Sequence, residues 1–386
     1  MKHIIEKISV LSLSLMLVST FAVSPAIPQM IEHFGQQGYS ASQVESLITI
    51  TSLFIMVTLL ANPIVIRFLS ERAIVILGLS LMALGGAMPF LFPHYYLVML
   101  SRILLGLGIG LINARAINIV GLLYKGKEQT QMMGLRSSFE VLGSASLTIL
   151  VGWLSTFGWQ AAFLAYLFAL VILCLFVCFV PKQEVVQHEN STEKPKLTKE
   201  LLKMGLSLAF FAFFVINVNT FITMRIPQIV TASGMGTAIQ ASWILGSMQV
   251  MGILAGTVFG FLVGRLKEWL LPFGYLIFGF SVLIVAFSTN LWILGFGAMI
   301  SGFFYSVILA IVFSRTAERT PHSLLTLLMT IVLMGCNIGG ASASLLPTFL
   351  EKLNPTQSGA FGIYALGCLL VSSVLAFQQL KTKKSI

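Results

Sequence analysis

The chain contains no aspartate at all, so its thirteen acidic residues are all glutamates. Charged residues of both signs make up only 9% of the 386 residues, whereas 57% are hydrophobic. Soluble domains usually carry about a quarter charged residues. This shortage of charge excludes an ordinary soluble domain and indicates an integral membrane protein.

Cysteine and histidine are also scarce, and neither has the spacing of a metal site. The four cysteines fall in apolar segments, where packing is their usual role, and the five histidines fall in loops or near the ends of segments. The sequence has no nucleotide-binding loop motif and no set of nucleophile, base and metal ligands at a segment boundary. It also lacks a repeated selectivity-filter sequence of the kind ion channels use. We therefore predict neither an enzyme nor a channel, and we expect no cofactor or metal.

Long apolar segments are what the chain has in abundance. Each is about 20 residues or more, which is enough to cross a bilayer as a helix, and none shows the alternation of a membrane-barrel strand. The first follows a short charged start, as in a signal peptide, but it extends to Met30 without a convincing cleavage site, so we expect it to be retained. The twelve predicted spans lie near 8–31, 44–66, 73–92, 96–120, 131–155, 160–180, 204–230, 240–263, 270–288, 291–313, 324–349 and 357–379.

The basic residues are sorted to one side of these spans. Apart from four arginines inside spans, every lysine and arginine except Lys352 falls in the termini or in alternate loops. Because basic residues are enriched on the cytoplasmic side, both termini are predicted to be cytoplasmic. The net charge of +10 is thus explained by topology, and we expect no nucleic-acid partner. The compact length and short outer loops favour a bacterial cell membrane.

The one long polar stretch divides the chain into two halves. Residues 181–203 contain two prolines and clustered charges, which is typical of a flexible linker. We predict a six-helix bundle over 1–180, this cytoplasmic linker, and a second six-helix bundle over 204–386. A weak internal repeat supports the division, because an offset of 196 places Gly143 over Gly339.

Glu140 is the one glutamate that the span prediction places well inside an apolar segment. A charged side chain in the bilayer interior costs about 3 kcal/mol or more, so it must be paired, hydrated or neutral. Arg136 precedes it by four residues and therefore lies on the same helical face. Burial favours the protonated acid and Arg136 favours the carboxylate, so the pair suits a proton switch, although a permanent structural pair fits equally. Glu45 is a weaker candidate, because it lies near the outer end of its span.

The remaining arginines inside spans differ in direction. Arg102 and Asn113 lie within about 20° of each other on one helical face, whereas Arg115 points about 140° away from Arg102. We expect Arg115 to snorkel or to brace a neighbouring helix, with substrate contact as the alternative. Arg225 lies near the outer end of its span and can also snorkel.

Other polar side chains in spans are candidates for a substrate cavity. They are Asn217 and Thr220 in span 7, Gln249 in span 8 and Asn337 in span 11. Gln249 belongs to a stripe with Gly246, Gly256 and Gly260, and such stripes of small residues typically permit close helix packing.

Several motifs together resemble the major facilitator superfamily, in particular its twelve-span drug/proton antiporter branch. Span 4 contains Arg102-Ile-Leu-Leu-Gly106-Leu-Gly108, similar to the Arg-x-x-x-Gly-x-Gly motif of that family. The stretch 157–163, FGWQAAF, resembles its Gly-Trp-Arg-x-x-Phe, and 25–28, PAIP, resembles the end of its first span. The resemblance implies two pseudo-symmetric bundles, a monomer, and an Arg102 side chain that faces the cavity.

The loop between spans 2 and 3 departs from the family pattern. Ile66 stands where the family has an aspartate that is thought to latch the cytoplasmic gate, and Leu69 replaces a glycine. Arg67 remains, with Glu71 as a possible substitute partner. Span 5 also lacks the proline of the antiporter motif.

The resemblance and the residues together favour one function and leave a second open. The first is proton-coupled export of small organic or amphipathic compounds by alternating access. The alternative is uptake or exchange of a small organic anion, suggested by four arginines against one glutamate inside the spans.

Overall fold

The computed structural model describes residues 2–124, 126–180, 198–353 and 359–384. Regular structure in these ranges is entirely helical. Helices satisfy their own backbone hydrogen bonds, as a hydrocarbon environment requires. The predicted all-α class is therefore confirmed for the part of the chain that the structure describes.

The N-terminal half contains long helices and several short 3-10 segments. The 3-10 segments are Leu13–Met16, Ser19–Phe21, Ser24–Ala26, Ser155–Phe157 and Phe163–Leu167. The α-helices are α1 (Lys2–Ser12), α2 (Ile27–Gly35), α3 (Ala41–Phe68), α4 (Glu71–Leu91), α5 (Tyr95–Leu123), α6 (Gly126–Leu154), α7 (Trp159–Ala162) and α8 (Phe168–Phe179).

The C-terminal half is more regular. Its one 3-10 segment, Lys267–Trp269, joins the second helix to the third. The helices are α9 (Lys199–Ala232), α10 (Ala238–Leu266), α11 (Leu270–Ala286), α12 (Leu291–Glu318), α13 (His322–Ser342), α14 (Leu345–Leu353) and α15 (Gly359–Lys384).

The described residues contain nine helical segments that are long and apolar enough to cross a membrane. Two bent helix pairs pass the same test together: Ile5–Met16 with Ser19–Gly35, bent by 50°, and Leu327–Ser342 with Leu345–Lys352, bent by 57°. One of the nine segments, Ala238–Ala286, has 49 residues. That is about twice the length of one crossing, and Lys267 interrupts it with a φ of 47°. Assigning two crossings to this segment makes the structure consistent with twelve spans.

The chain divides into two compact units. Unit 1 comprises Met1–Lys194 and Ala238–Trp243, and unit 2 comprises Pro195–Thr237 and Ile244–Ile386. Most of the predicted linker, residues 181–197, lies outside the described residues. Its last residues do not form a linker, because α9 begins at Lys199, where the Thr198 side chain accepts a hydrogen bond from the backbone N–H of Leu201.

Glycines let α5 pack closely between α3 and α4 in unit 1. A Cβ on Gly106 would lie 2.5 Å from the Thr51 carbonyl oxygen of α3, and one on Gly108 would lie 2.6 Å from the Gly78 carbonyl oxygen of α4. Both distances are too short for a real side chain. The Arg-x-x-x-Gly-x-Gly pattern therefore places Arg102 on a helix that is tightly packed on two sides.

Two glycines of the small-residue stripe of α10 have open space beside them. Among the described residues, a Cβ on Gly256 or Gly260 would meet no heavy atom within 4 Å. The described helices are therefore not closely packed at these two positions.

Candidate functional site

Arg136 and Glu140 form an ion pair on α6. Nη1 of Arg136 lies 2.5 Å from Oε1 of Glu140, and the two side chains are 14% and 21% exposed. The helical spacing of four residues brings them together without help from another element. Glu140 lies within the described segment Ser138–Phe157, which is long and apolar enough to cross a membrane.

Glu45 is more buried than its position in the sequence suggested. It is 1% exposed, on the second turn of α3, within a segment long and apolar enough to cross a membrane. A capping box fixes the start of this helix, since the Ser40 side chain accepts from the Gln43 backbone and the Gln43 side chain accepts from the Ser40 backbone. That box is the sequence signal that places Glu45 one turn inside the helix instead of at its end.

Arg102 is fully buried and braces the interrupted first span. Its Nη2 donates to the Thr20 carbonyl oxygen at 2.9 Å and to the Tyr166 hydroxyl at 3.2 Å. The guanidinium also lies 5.6 Å from the centre of the Phe163 ring and 5.2 Å from that of Tyr166. Its Nε and Nη1 have no hydrogen-bond partner. In this structure Arg102 therefore serves helix packing, and its predicted contact with substrate remains a proposal.

Three side chains from other helices satisfy successive carbonyl groups at the break in span 1. Besides Arg102, the Tyr166 hydroxyl donates to the Ser19 carbonyl oxygen at 2.9 Å, and Ser144 Oγ donates to the Val18 carbonyl oxygen at 3.1 Å. A 3-10 interruption breaks the regular α-helical hydrogen bonding here, although the Ser19 carbonyl oxygen also accepts from the Ala22 N–H of its own 3-10 turn. The donors thus make a bent first span tolerable inside an apolar bundle.

Glu71 pairs with Arg115 and not with Arg67. The Arg115 guanidinium is fully buried, forms a short ion pair with Glu71, and donates from Nη2 to Oδ1 of Asn62 at 2.7 Å. Arg67 is exposed at the end of α3. The suggested Arg67–Glu71 pairing is therefore wrong, because Glu71 begins α4 next to the inward-facing Arg115. Arg115 accordingly braces α3, α4 and α5, whereas the sequence favoured snorkelling or a brace on span 5.

Asn217 is the polar centre of unit 2. Its fully buried amide donates to the Gly339 carbonyl oxygen at 3.1 Å and to Ser342 Oγ at 3.0 Å, and it accepts from the Tyr364 hydroxyl at 2.5 Å. It therefore joins α9, α13 and α15. Thr220, one turn away on α9, is also buried.

The other predicted cavity residues are half-buried and lie apart from these clusters. Gln249 is on α10, Asn113 is on α5, and Asn337 on α13 donates to the Leu333 carbonyl oxygen of its own helix at 2.9 Å. No hydrogen bond between described residues links Asn113 to Arg102. The one face of α5 that they were predicted to share does not bring them into contact.

Arg225, in the last turns of α9, forms an ion pair with Glu351. Its Nη2 lies 2.7 Å from Oε1 of Glu351, and its Nη1 donates to Gln228 at 3.0 Å. The pair tethers α9 to α14. Among the described residues, no cluster of His, Cys or Glu could hold a metal ion.

An all-helical chain whose apolar helices carry braced polar clusters within two units is the architecture of a helical membrane transporter. Residues 10–267 match the profile of the Major Facilitator Superfamily, so the chain belongs to that family. The predicted membership is thereby confirmed.

One relative and two solved structures illustrate the similarity. The relative is "Uncharacterized MFS-type transporter YbcL" of Bacillus subtilis (strain 168), 26% identical over 269 residues. That match covers 66% of this chain and 65% of the relative, slightly less than two thirds of its length. Crystal structures of a mutant of the peptide transporter POT, in complex with sulfate and with alafosfalin, superpose with TM-scores of 0.76 and 0.74. The sulfate complex is 15% identical, and the match covers 98% of this chain and 94% of that one. The alafosfalin complex is 16% identical, and the match covers 96% of this chain and 93% of that one. At such identities these structures support the fold alone.

Proposed function

We propose that this chain exports small organic or amphipathic compounds in exchange for protons, by alternating access between its two units. The supporting observation is the Arg136–Glu140 ion pair on α6, whose carboxylate lies within a segment long and apolar enough to cross a membrane. A lone carboxylate is costly there, and the adjacent guanidinium offsets that cost. When Glu140 takes a proton, the ion pair breaks and Arg136 loses its counter-ion.

Coupling requires that this change alters substrate binding. Antiport follows if the substrate binds only when Glu140 is deprotonated. Substrate binding then releases the Glu140 proton, because the proton and the substrate exclude each other. Glu45 is a second carboxylate with the necessary burial. Of the predicted cavity residues, half-buried Asn113, Gln249 and Asn337 are better placed for substrate than Asn217, whose amide is already saturated.

Proton release by purified protein tests the proposal. Amphipathic cations, neutral compounds and organic anions are first screened for a shift in the thermal unfolding midpoint. Each ligand found is then added in weakly buffered detergent solution while a pH-sensitive dye reports released protons. We expect proton release by the wild type. Glu140→Gln, whose neutral side chain resembles the protonated form, should bind the ligand more weakly and release no protons even at saturating ligand.

Glu128→Gln is the matched control. Glu128 lies on the first turn of the same helix, its side chain is 41% exposed, and it pairs with Lys7 at 2.6 Å. It should release protons as the wild type does. Full release by Glu140→Gln would remove Glu140 from the mechanism, and loss in Glu45→Gln instead would transfer the role to Glu45.

A second function, transport of a small organic anion, is supported by Nε and Nη1 of Arg102, which have no hydrogen-bond partner among the described residues. An anionic substrate could accept a charge-assisted hydrogen bond from either of them. Arg102→Lys should then weaken the binding of anionic ligands and leave neutral ligands unaffected. Equal weakening of both classes would indicate only a loss of the brace on span 1.

A further inference from the structure

A pocket of about 460 Å³ opens at one end of unit 2. It lies where α9 and α11 begin and α12 and α15 end, which is the side that the basic residues predict to be cytoplasmic. Two kinds of residue line it. Arg315, Arg319 and Glu268 form its charged side. Residues of α9 and α15 form the other side, which is mainly apolar but includes Ser207, Gln378 and Gln379.

The charged side carries more positive than negative charge. Nη2 of Arg315 lies 2.7 Å from Oε2 of Glu268, and Nη2 of Arg319 lies 3.1 Å from Oε1 of the same carboxylate. Each guanidinium has five N–H donors, so one shared carboxylate cannot satisfy both. Two arginines spaced to hold one carboxylate also suit a phosphate, which offers more acceptors in a similar geometry.

The chain is strained beside this carboxylate. Lys267, which precedes Glu268, is the one non-glycine residue of the described chain with a positive φ, at 47°. A left-handed conformation is unfavourable for such a residue, because its Cβ crowds the following carbonyl oxygen. Arg315 also donates to the Glu268 backbone oxygen at 3.4 Å, so the arginines help to hold the strained turn. An anion that replaced Glu268 would release the turn.

The apolar side continues onto the surface of the unit. Leu208, Phe211 and Val374 line the pocket, and Val374 is 56% exposed. Beyond it Phe377 is also exposed, with Nζ of Lys381 at 5.7 Å from its ring centre. A ligand with an anionic head and an apolar tail could therefore place its head at the arginines and its tail along the apolar surface beside them.

We propose that this pocket binds the phosphate of an anionic phospholipid, which displaces Glu268 from between Arg315 and Arg319. Anionic lipids are concentrated in the cytoplasmic leaflet, and basic pockets between helices on that side are suited to their headgroups. Inorganic phosphate shares the headgroup chemistry. The apolar side identifies the lipid as the source.

Short-chain lipids allow a direct test on the purified full-length chain in neutral detergent. The thermal unfolding midpoint is measured against dioctanoyl phosphatidylglycerol, dioctanoyl phosphatidylcholine and sodium phosphate. We expect the first alone to raise the midpoint in a saturable manner. Arg319→Gln should weaken this apparent affinity about tenfold, the loss of one charge-assisted hydrogen bond.

Glu268→Gln separates a displaceable partner from a structural one. It should tighten the binding of phosphatidylglycerol, because it removes the carboxylate that competes for the arginines. Arg265→Gln is the control, since Arg265 is an exposed basic residue at the end of α10 that does not line the pocket. The Arg265→Gln variant should bind phosphatidylglycerol with the affinity of the wild type.

Several results would overturn the proposal. Unchanged affinity in Arg319→Gln, or weaker binding in Glu268→Gln, would show that the arginines do not receive the lipid. An equal response to phosphatidylcholine would remove the preference for anionic lipid, and saturation by sodium phosphate would identify the free ion as the ligand. Arg319 is 53% exposed, so its variant is expected to fold, and Glu268→Gln decides the question independently if it does not.

Discussion

Gly143 and Leu15 meet at backbone distance where α6 crosses the interrupted first span. A Cβ on Gly143 would lie 2.1 Å from the Leu15 carbonyl oxygen. Gly143→Ala must therefore displace one backbone, and we expect destabilisation of about 1–3 kcal/mol. The thermal unfolding midpoint in detergent measures it.

Gly256→Ala is the natural control for that substitution. Its added Cβ would meet no heavy atom within 4 Å, and alanine is favoured over glycine inside a helix by about 0.5–1 kcal/mol. Stability should stay equal or rise slightly. A similar fall in the unfolding midpoint of both variants would mean that the destabilisation by Gly143→Ala is not caused by a steric clash.

Tyr166 is the residue on which the brace of span 1 depends most. Tyr166→Phe removes the donor to the Ser19 carbonyl oxygen and the hydroxyl that Arg102 contacts. The Ser19 carbonyl oxygen keeps its bond from the Ala22 N–H, and Arg102 keeps its bond to the Thr20 carbonyl oxygen. Losing the two buried hydrogen bonds of the hydroxyl should cost about 1–3 kcal/mol. An unfolding midpoint equal to that of the wild type would contradict the assigned role.

At the scale of helices, the cluster of Asn62, Glu71 and Arg115 holds three elements together. Arg115 is fully buried, and Oε2 of Glu71 is buried as well. Glu71→Gln leaves the guanidinium without a counter-ion and Arg115→Leu leaves the carboxylate without one, so each should cost about 3–5 kcal/mol. The unfolding midpoints of the two variants in detergent measure these losses.

Arg67→Gln tests the same assignment from the other side. Arg67 is exposed and makes no ion pair with Glu71 in the described chain. Its substitution should change stability by no more than about 0.5 kcal/mol. A loss as large as that of Glu71→Gln would restore the Arg67–Glu71 pairing.

For the whole molecule, the distribution of basic residues predicts which loops face the cytoplasm. In a variant whose four native cysteines are replaced, Lys352→Cys should react with a membrane-impermeant maleimide added to intact cells. Glu200→Cys, at the exposed start of α9, should react only after the cells are permeabilised. The reverse pattern would invert the orientation.

The spans, and the pairing of Arg136 with Glu140, could be predicted from the chain without its coordinates. Both depend on local rules: a bilayer crossing needs about 20 apolar residues, and residues four apart share a helical face. Membership of the family could be predicted for a similar reason. Its motifs are short, and Gly106 and Gly108 are needed for close contact with neighbouring helices.

Contacts between distant segments were decided only when the helices came together. Glu71 found Arg115, 44 residues away, and Arg102 found carbonyl oxygens released by a break in span 1 that no apolar run reveals. Neither partner can be inferred from spacing, because buried charges and freed carbonyls take whichever donors or acceptors the packed neighbours supply. Composition thus determined that this chain crosses a membrane, and tertiary packing determined which of its few charges brace helices and which are left for chemistry.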